Sequence, residues 1–132
     1  MSAVYQNLRK ELLLLAETAP RPSSRSRHVS ELLRFIHESI FESGLSVKVA
    51  LNRCGIRDHN VSSQFKYEVG VSIKDYITRL RLDCAERCIA DGNWPIAAIA
   101  QAAGFGHVQT FYALYRRTRS GTPGQIRRKQ SA

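Results

Sequence analysis

Residues 96–117 read "IAAIAQAAGFGHVQTFYALYRR", and the stretch changes character at Gly104. Ahead of Gly104 every residue except Gln101 is apolar, and most are small. Ile96, Ile99, Ala100 and Ala103 stand at i, i+3, i+4 and i+7, the spacing that lines one face of a short helix. Glycine then provides a sharp stop, because it enters left-handed backbone without a Cβ penalty. Beyond it, Val108, Phe111, Leu114 and Tyr115 recur at helical spacing, while Gln109, Thr110, Ala113, Arg116 and Arg117 fall on the other arc. The pattern predicts a support helix, a tight turn and a second helix with aromatic residues inward and polar residues outward.

The same unit occurs once more, upstream. Val47, Ala50, Leu51, Cys54 and Gly55 precede Ile96, Ile99, Ala100, Ala103 and Gly104 by a constant 49 positions. After the glycine the offset becomes 50, pairing Val61 with Phe111 and Phe65 with Tyr115. The economical name for two short helices about a glycine turn is helix-turn-helix, whose second helix commonly enters the DNA major groove. In the earlier unit His59, Asn60, Ser62, Ser63 and Lys66 are the expected outward residues. Amide and hydroxyl groups read base edges, and cations hold phosphates or a guanine.

The rest of the chain reads as helices around these units. A broad apolar face over 29–43 is expected to stop at Gly44, and short helices are expected at 46–54 and 59–69. A long helix over 72–91 opens at Ser72, a good N-cap, and ends before Gly92. Pro95 suits the start of the next helix, and further helices fit 107–119 and 122–129. No strand-like alternation of useful length occurs, so the fold class is all-α: about seven helices plus an N-terminal amphipathic one over 4–17, with Val4, Leu8, Leu12 and Leu15 at helical spacing. Residues 18–27, rich in proline, serine and arginine, read as a linker or mobile basic arm.

Charge placement points the same way. Twenty Lys and Arg stand against eleven Asp and Glu, a formal net charge of +9. From Gly92 onward Arg116, Arg117, Arg119, Arg127, Arg128 and Lys129 meet no acid at all. A basic face polarised to one end suits a polyanion, nucleic acid first. The long helix, about 20 residues at ~1.5 Å each, spans ~30 Å, close to the ~34 Å of one DNA turn. Two recognition helices so joined could address successive major grooves, with some bending of the DNA.

Other function classes find little support. The apolar run 12–16 is far too short to span a bilayer. Cys54, Cys84 and Cys88, with no signal peptide, fit a reducing cytoplasm, and structural or bystander thiols are the expectation. The histidines at 28, 37, 59 and 107 show no metal-ligand spacing, and no catalytic constellation, cofactor or metal is expected.

At this point the residues resemble the AraC/XylS family of transcription regulators, over about 29–128. "IAAIAQAAGF" at 96–105, followed by Phe111, Tyr115, Arg116, Pro123 and Arg127, looks like the closing signature of that family, and "GVSIKDYITRLRLDCA" at 70–85 looks like the start of its linker helix, with Tyr76, Arg81, Leu82 and Ala85 in place. The resemblance implies two helix-turn-helix subdomains, 28–71 and 92–130, joined by a linker helix at 72–91, with 1–27 as a separate helix and linker. It implies a sequence-specific regulator of double-stranded DNA, an activator by the family's habit, able to contact RNA polymerase, cytoplasmic and nucleoid-associated. Arg127 is the phosphate candidate in the closing motif. Departures from the pattern are Ala113 where an arginine is frequent, Ser120 ahead of Gly121 where glycine comes first, and Arg57 and Gly106 where N-cap serines are usual, leaving Asp58 to cap the first recognition helix.

Two rival readings stay open. A weakly specific architectural binder fits the sparse face around Ser62 and Ser63. A protein-interaction adaptor, or self-association, would use the leucine face of residues 4–15, which could instead dock on the domain. The 27 residues ahead of the domain are too few for a separate ligand-binding domain, so a single-domain regulator or the DNA-binding part of a longer parent is expected.

Overall fold

The computed structural model describes residues 3–126, with 25 and 120 excepted and side chains from residue 6 onward. Its helices are α1 (Ala3–Thr18), α2 (Arg27–Ser39), α3 (Val47–Arg53), α4 (Val61–Val69), α5 (Ile73–Asp91), α6 (Ile96–Ala100) and α7 (Val108–Thr118), with a π-type turn, Gln101–Phe105, continuing α6. Among the described residues there is no strand, as expected for an all-α chain. A helical turn at 123–126 is all that is described of the helix expected over 122–129, and Arg127, Arg128 and Lys129 lie outside the described residues.

Local sequence signals set most boundaries. Ser46 and Ser72 accept hydrogen bonds from the amides of Val49 and Asp75, each at 3.1 Å, capping α3 and α5. Gly92, left-handed at φ +75°, closes α5 where expected. Two expectations shift. The apolar run 29–43 does not remain helical to Gly44: α2 starts two residues early, after the Ser26 cap, and stops at Ser39. Ile40 and Phe41 are still buried, but in the turn beyond the helix. There the carbonyls of Ile40 and Glu42 accept from Arg81, at 2.7 and 2.9 Å, which replaces a further helical turn. Likewise α4 starts at Val61, so His59 and Asn60 precede it rather than lie on its outward face.

Both helix-turn-helix units share one core. Leu32, Ile36, Phe65, Leu82, Ile89, Ile99 and Phe111 are buried together in a continuous cluster. Full burial of each such side chain stabilises the fold by about 1.5–3 kcal/mol. Ala50, Ala85, Ala100 and Ala103 are completely buried, so neighbouring helices approach without side chains between them.

The N-terminal helix belongs to this core. Leu8, Leu12 and Ala16 of α1 are buried in it, and α1 packs on α2, α5 and the π-type turn. Of the two uses left open for the leucine face, docking on the domain is the one that Leu8 and Leu12 serve; of the four leucines at 12–15, Leu14 is the one left 60% exposed. The middle and the C-terminal end of α1 are also tied by polar contacts. Trp94 donates to Glu11 at 2.7 Å, and the carbonyl of Ala16 accepts from Nδ1 of His37 at 3.0 Å. The serine-rich arm is held too: Ser24 Oγ and the Ser26 amide donate to Oε1 of Glu68, at 2.9 and 3.3 Å. Arg27 enters α2 and pairs with Glu31 at 3.0 Å. Within the segment expected as a linker or mobile basic arm, Ser24 and Ser26 thus rest against α4.

Candidate nucleic-acid interface

Each unit presents its second helix through the same local chemistry. In the first, α3 ends at Cys54 and Gly55 turns the chain at φ +67°. The amide of Ile56 then reaches back to the Leu51 carbonyl at 2.9 Å, a hydrogen bond that closes the helix end. Val61 and Phe65 point α4 into the core. Ser62, Ser63 and Lys66 are exposed on α4, and His59 and Asn60 are exposed just ahead of it. Asp58 accepts the Asn60 amide at 2.9 Å, so it organises the turn, while Asn60 occupies the N-cap position without a side-chain bond. Lys48, Asn52, Arg57, His59 and Ser62 share a groove between α3 and the start of α4.

In the second unit Gly104 makes the turn at φ +94°. Phe105 then packs on Phe111 with ring centroids 5.1 Å apart, and Phe111 lies 5.8 Å from Tyr115. This aromatic row seats α7 on the core and leaves Gln109, Thr110, Ala113, Arg116 and Arg117 exposed. His107 stands at the N-cap without a side-chain bond, so neither α4 nor α7 starts from a capping serine.

The cations divide into committed and free. Among the described residues Lys66, Arg116 and Arg117 form no ion pair. Arg119 belongs to the basic C-terminal run of the sequence, yet it pairs with Asp83 at 2.6 Å and with Glu86. Burial works against its charge, but hydrogen bonding to Asp83 and the two carboxylate charges outweigh this and raise its pKa. Tyr115 donates to Glu86 at 2.9 Å; burial, followed by that bond, pushes its pKa up to about 12. Arg81 is likewise committed, to the carbonyls of Ile40 and Glu42 in the turn after α2.

Four residues of this region have placements or contacts that the sequence does not indicate. Gln64 and Tyr67 are exposed on α4, Tyr67 at 89%. With Val61 and Phe65 as the inward phase, both follow from helical spacing once the helix start is known. Arg81 and Arg119 gave no local signal, because their partners lie 41, 39, 36 and 33 residues away.

Cys84 and Cys88 are buried, and burial pushes the Cys84 thiol up to about 12. Among the described residues no group of three or more His, Cys, Asp or Glu is placed to hold a metal ion, and no helix is long and apolar enough to cross a membrane.

Comparison with known proteins gives a consistent neighbourhood. A helix-turn-helix domain family matches residues 50–129. A putative AraC-like transcription regulator of Streptomyces antibioticus is 27% identical over 100 residues, covering 76% of this chain and 33% of that protein. The xylose operon regulatory protein of Escherichia coli (strain K12) is 30% identical over 84 residues, covering 64% of this chain and 21% of that protein. The chain thus spans a third or less of the length of these two relatives. The C-terminal domain of AraT, a response regulator from Geobacillus stearothermophilus, has the same fold at a TM-score of 0.76, with 22% identity over 81% of this chain and 88% of that one.

Proposed function

We propose, for a chain that belongs to the AraC/XylS family of helix-turn-helix transcription regulators, that it binds double-stranded DNA at specific sequences and activates transcription. The observation that carries this reading is the division of α7: Phe111 and Tyr115 are buried, while Gln109, Thr110, Arg116 and Arg117 are exposed, the two arginines unpaired among the described residues. An exposed face of amide, hydroxyl and free guanidinium groups supplies base-edge and phosphate contacts together.

In this reading α4 and α7 enter successive major grooves. The 19 residues of α5 at ~1.5 Å each give ~28 Å, near the ~34 Å of one turn. His59, Asn60, Ser62, Ser63 and Lys66 form the first contact set; Gln109, Thr110, Ala113, Arg116 and Arg117 form the second. His59 and Asn60, in the turn ahead of α4, approach the backbone or groove edge. Contact with RNA polymerase and action as an activator are what the family resemblance supports.

Selection of binding sites from a random duplex pool tests the reading. The expected result is a site with two contacted patches about ten base pairs apart, held against random DNA by a ratio above ~10³. Binding without a selected sequence would identify an architectural binder instead. A selected site placed upstream of a weak promoter should then raise reporter output.

A further inference from the structure

The C-terminal end of α7 is fastened to α5 by four side chains. Arg119, one residue past α7, donates from Nη2 to Oδ1 of Asp83 at 2.6 Å and from Nη1 to Oε2 of Glu86. The second oxygen of Glu86, Oε1, accepts the Tyr115 hydroxyl at 2.9 Å. Tyr115 is buried in the face that seats α7 on the core. One guanidinium therefore grips two carboxylates of the linker helix, and one of those carboxylates also grips the reader helix. Arg119 and Glu86 are only 24% and 28% exposed, which separates them from solvated pairs that contribute little. Reaching two acids with one planar fork fixes direction as well as distance.

The same stretch of α5 also holds the turn after α2. Arg81 donates to the carbonyls of Ile40 and Glu42, at the end of α2. Residues 81, 83 and 86, within two helical turns, thus carry polar attachments to the turn after α2 on one side and to the end of α7 on the other.

We propose that Arg119 is a positioning residue: clamped by Asp83 and Glu86, it sets the angle and distance at which α7 is presented relative to α4, and so the spacing between DNA half-sites that the protein accepts. Its charge is used inside the protein and not on a phosphate. This rests on the DNA-binding reading above.

The test measures full-chain binding to a selected duplex, to the same duplex with one base pair inserted between the contacted patches, and across a salt series. Three proteins are compared: wild type, Arg119→Gln, and Asp83→Asn/Glu86→Gln. Both variants are expected to weaken binding about tenfold, to keep the wild-type salt slope, and to lose much of the penalty for the inserted base pair. The double variant is decisive in sign. Removing two negative charges from a DNA-binding protein by itself tightens binding, so a loss points to geometry. If Arg119→Gln loses its helical circular dichroism, Glu86→Gln, which leaves the Asp83 contact, carries the same comparison. The clamp is overturned if Arg119→Gln lowers the salt slope by about 0.9, the mark of a phosphate contact, while the double variant binds more tightly. Unchanged affinity and spacing preference in the variants overturns it as well. A wild-type chain that selects no duplex sinks the DNA-binding reading and the clamp together, whereas unaltered variants of a selective wild type sink the clamp alone.

Discussion

The guanidinium of Arg81 occupies the space that a side chain on Gly104 would need. A Cβ at Gly104 would stand 3.1 Å from both Cζ and Nε of Arg81. Arg81 has little freedom to retreat, because it donates to the carbonyls of Ile40 and Glu42 at 2.7 and 2.9 Å. The turn of the second helix-turn-helix unit therefore closes on the side chain that finishes α2, the helix ahead of the first unit. The end of α2 and the turn of the second unit both meet α5 at this one arginine.

Replacing Gly104 with alanine is expected to cost about 2–4 kcal/mol. Left-handed backbone with a Cβ accounts for roughly 1–2 kcal/mol, and displacing Arg81 from the Ile40 and Glu42 carbonyls adds a lost hydrogen bond or two at about 1 kcal/mol each. Gly92 is the control, since its φ is +75° but nothing lies within 4 Å of its Cβ position. Gly92→Ala should incur only the backbone part. Urea denaturation of both variants checks this, and equal losses would mean that Arg81 yields without cost.

The two faces of α1 predict opposite behaviour for neighbouring leucines. Leu12 is completely buried and Leu14 is 60% exposed. Leu12→Ala should destabilise the fold by about 2–5 kcal/mol, and Leu14→Ala should stay within about 0.5 kcal/mol of wild type. If both are near neutral, α1 does not form part of the folded core in solution.

Local chemistry was easy to read and distant pairing was not. The cap Ser72, the stop at Gly92 and the inward pair Phe111 and Tyr115 all follow from signals within a few residues. The repeat added the glycine turns at 55 and 104, both left-handed. The start of α4 was misplaced because nothing between Arg57 and Asn60 makes a side-chain cap; Asp58 bonds the Asn60 amide instead. The end of α2 was misplaced because apolar spacing continued through Ile40 and Phe41, whereas the carbonyls there are met by Arg81, 41 residues away from Ile40. Composition placed Arg119 in a basic tail for the same reason: Asp83 and Glu86 neutralise it from another helix. For α1 the spacing marked a sticky face correctly, but could not say whether the domain or a partner would cover it.

His37 makes stability depend on pH. Its Nδ1 donates to the Ala16 carbonyl at 3.0 Å, and its Nε2 accepts from the Tyr76 hydroxyl at 2.6 Å, an arrangement that belongs to the neutral ring. Burial, and to a lesser degree the Arg21 charge, lower its pKa from the ordinary 6.5, with the Ala16 bond opposing. The unfolded chain therefore takes up the proton first as pH falls, so stability rises with pH in that window. The contribution is complete above 6.5 and is lost as pH drops through that value toward the folded pKa. Moving from about pH 7.5 to about 5.5 should lower the urea midpoint of wild type more than that of His37→Gln. Equal or greater acid sensitivity in the variant would assign the loss to another group.

The exposed arc of α7 offers both a loss and a gain of binding. Arg116 and Arg117 are exposed and, among the described residues, unpaired. Arg116→Ala/Arg117→Ala should leave stability within about 0.5 kcal/mol while reducing the salt slope by up to about 1.8, or 0.9 per phosphate contact. Ala113 is exposed on the same arc, four residues after Gln109 and four before Arg117. An arginine there would bring a planar fork to the middle of the reading face, where a bidentate guanine contact discriminates by about 1–3 kcal/mol. Sites selected by Ala113→Arg should therefore gain a guanine at a position where wild type tolerates several bases. Ala113→Lys separates the causes, since added charge without the fork should raise affinity for all sequences with little new preference. If Ala113→Arg also raises affinity uniformly and selects no new base, residue 113 faces the phosphates and the reading helix sits in the groove at a different roll.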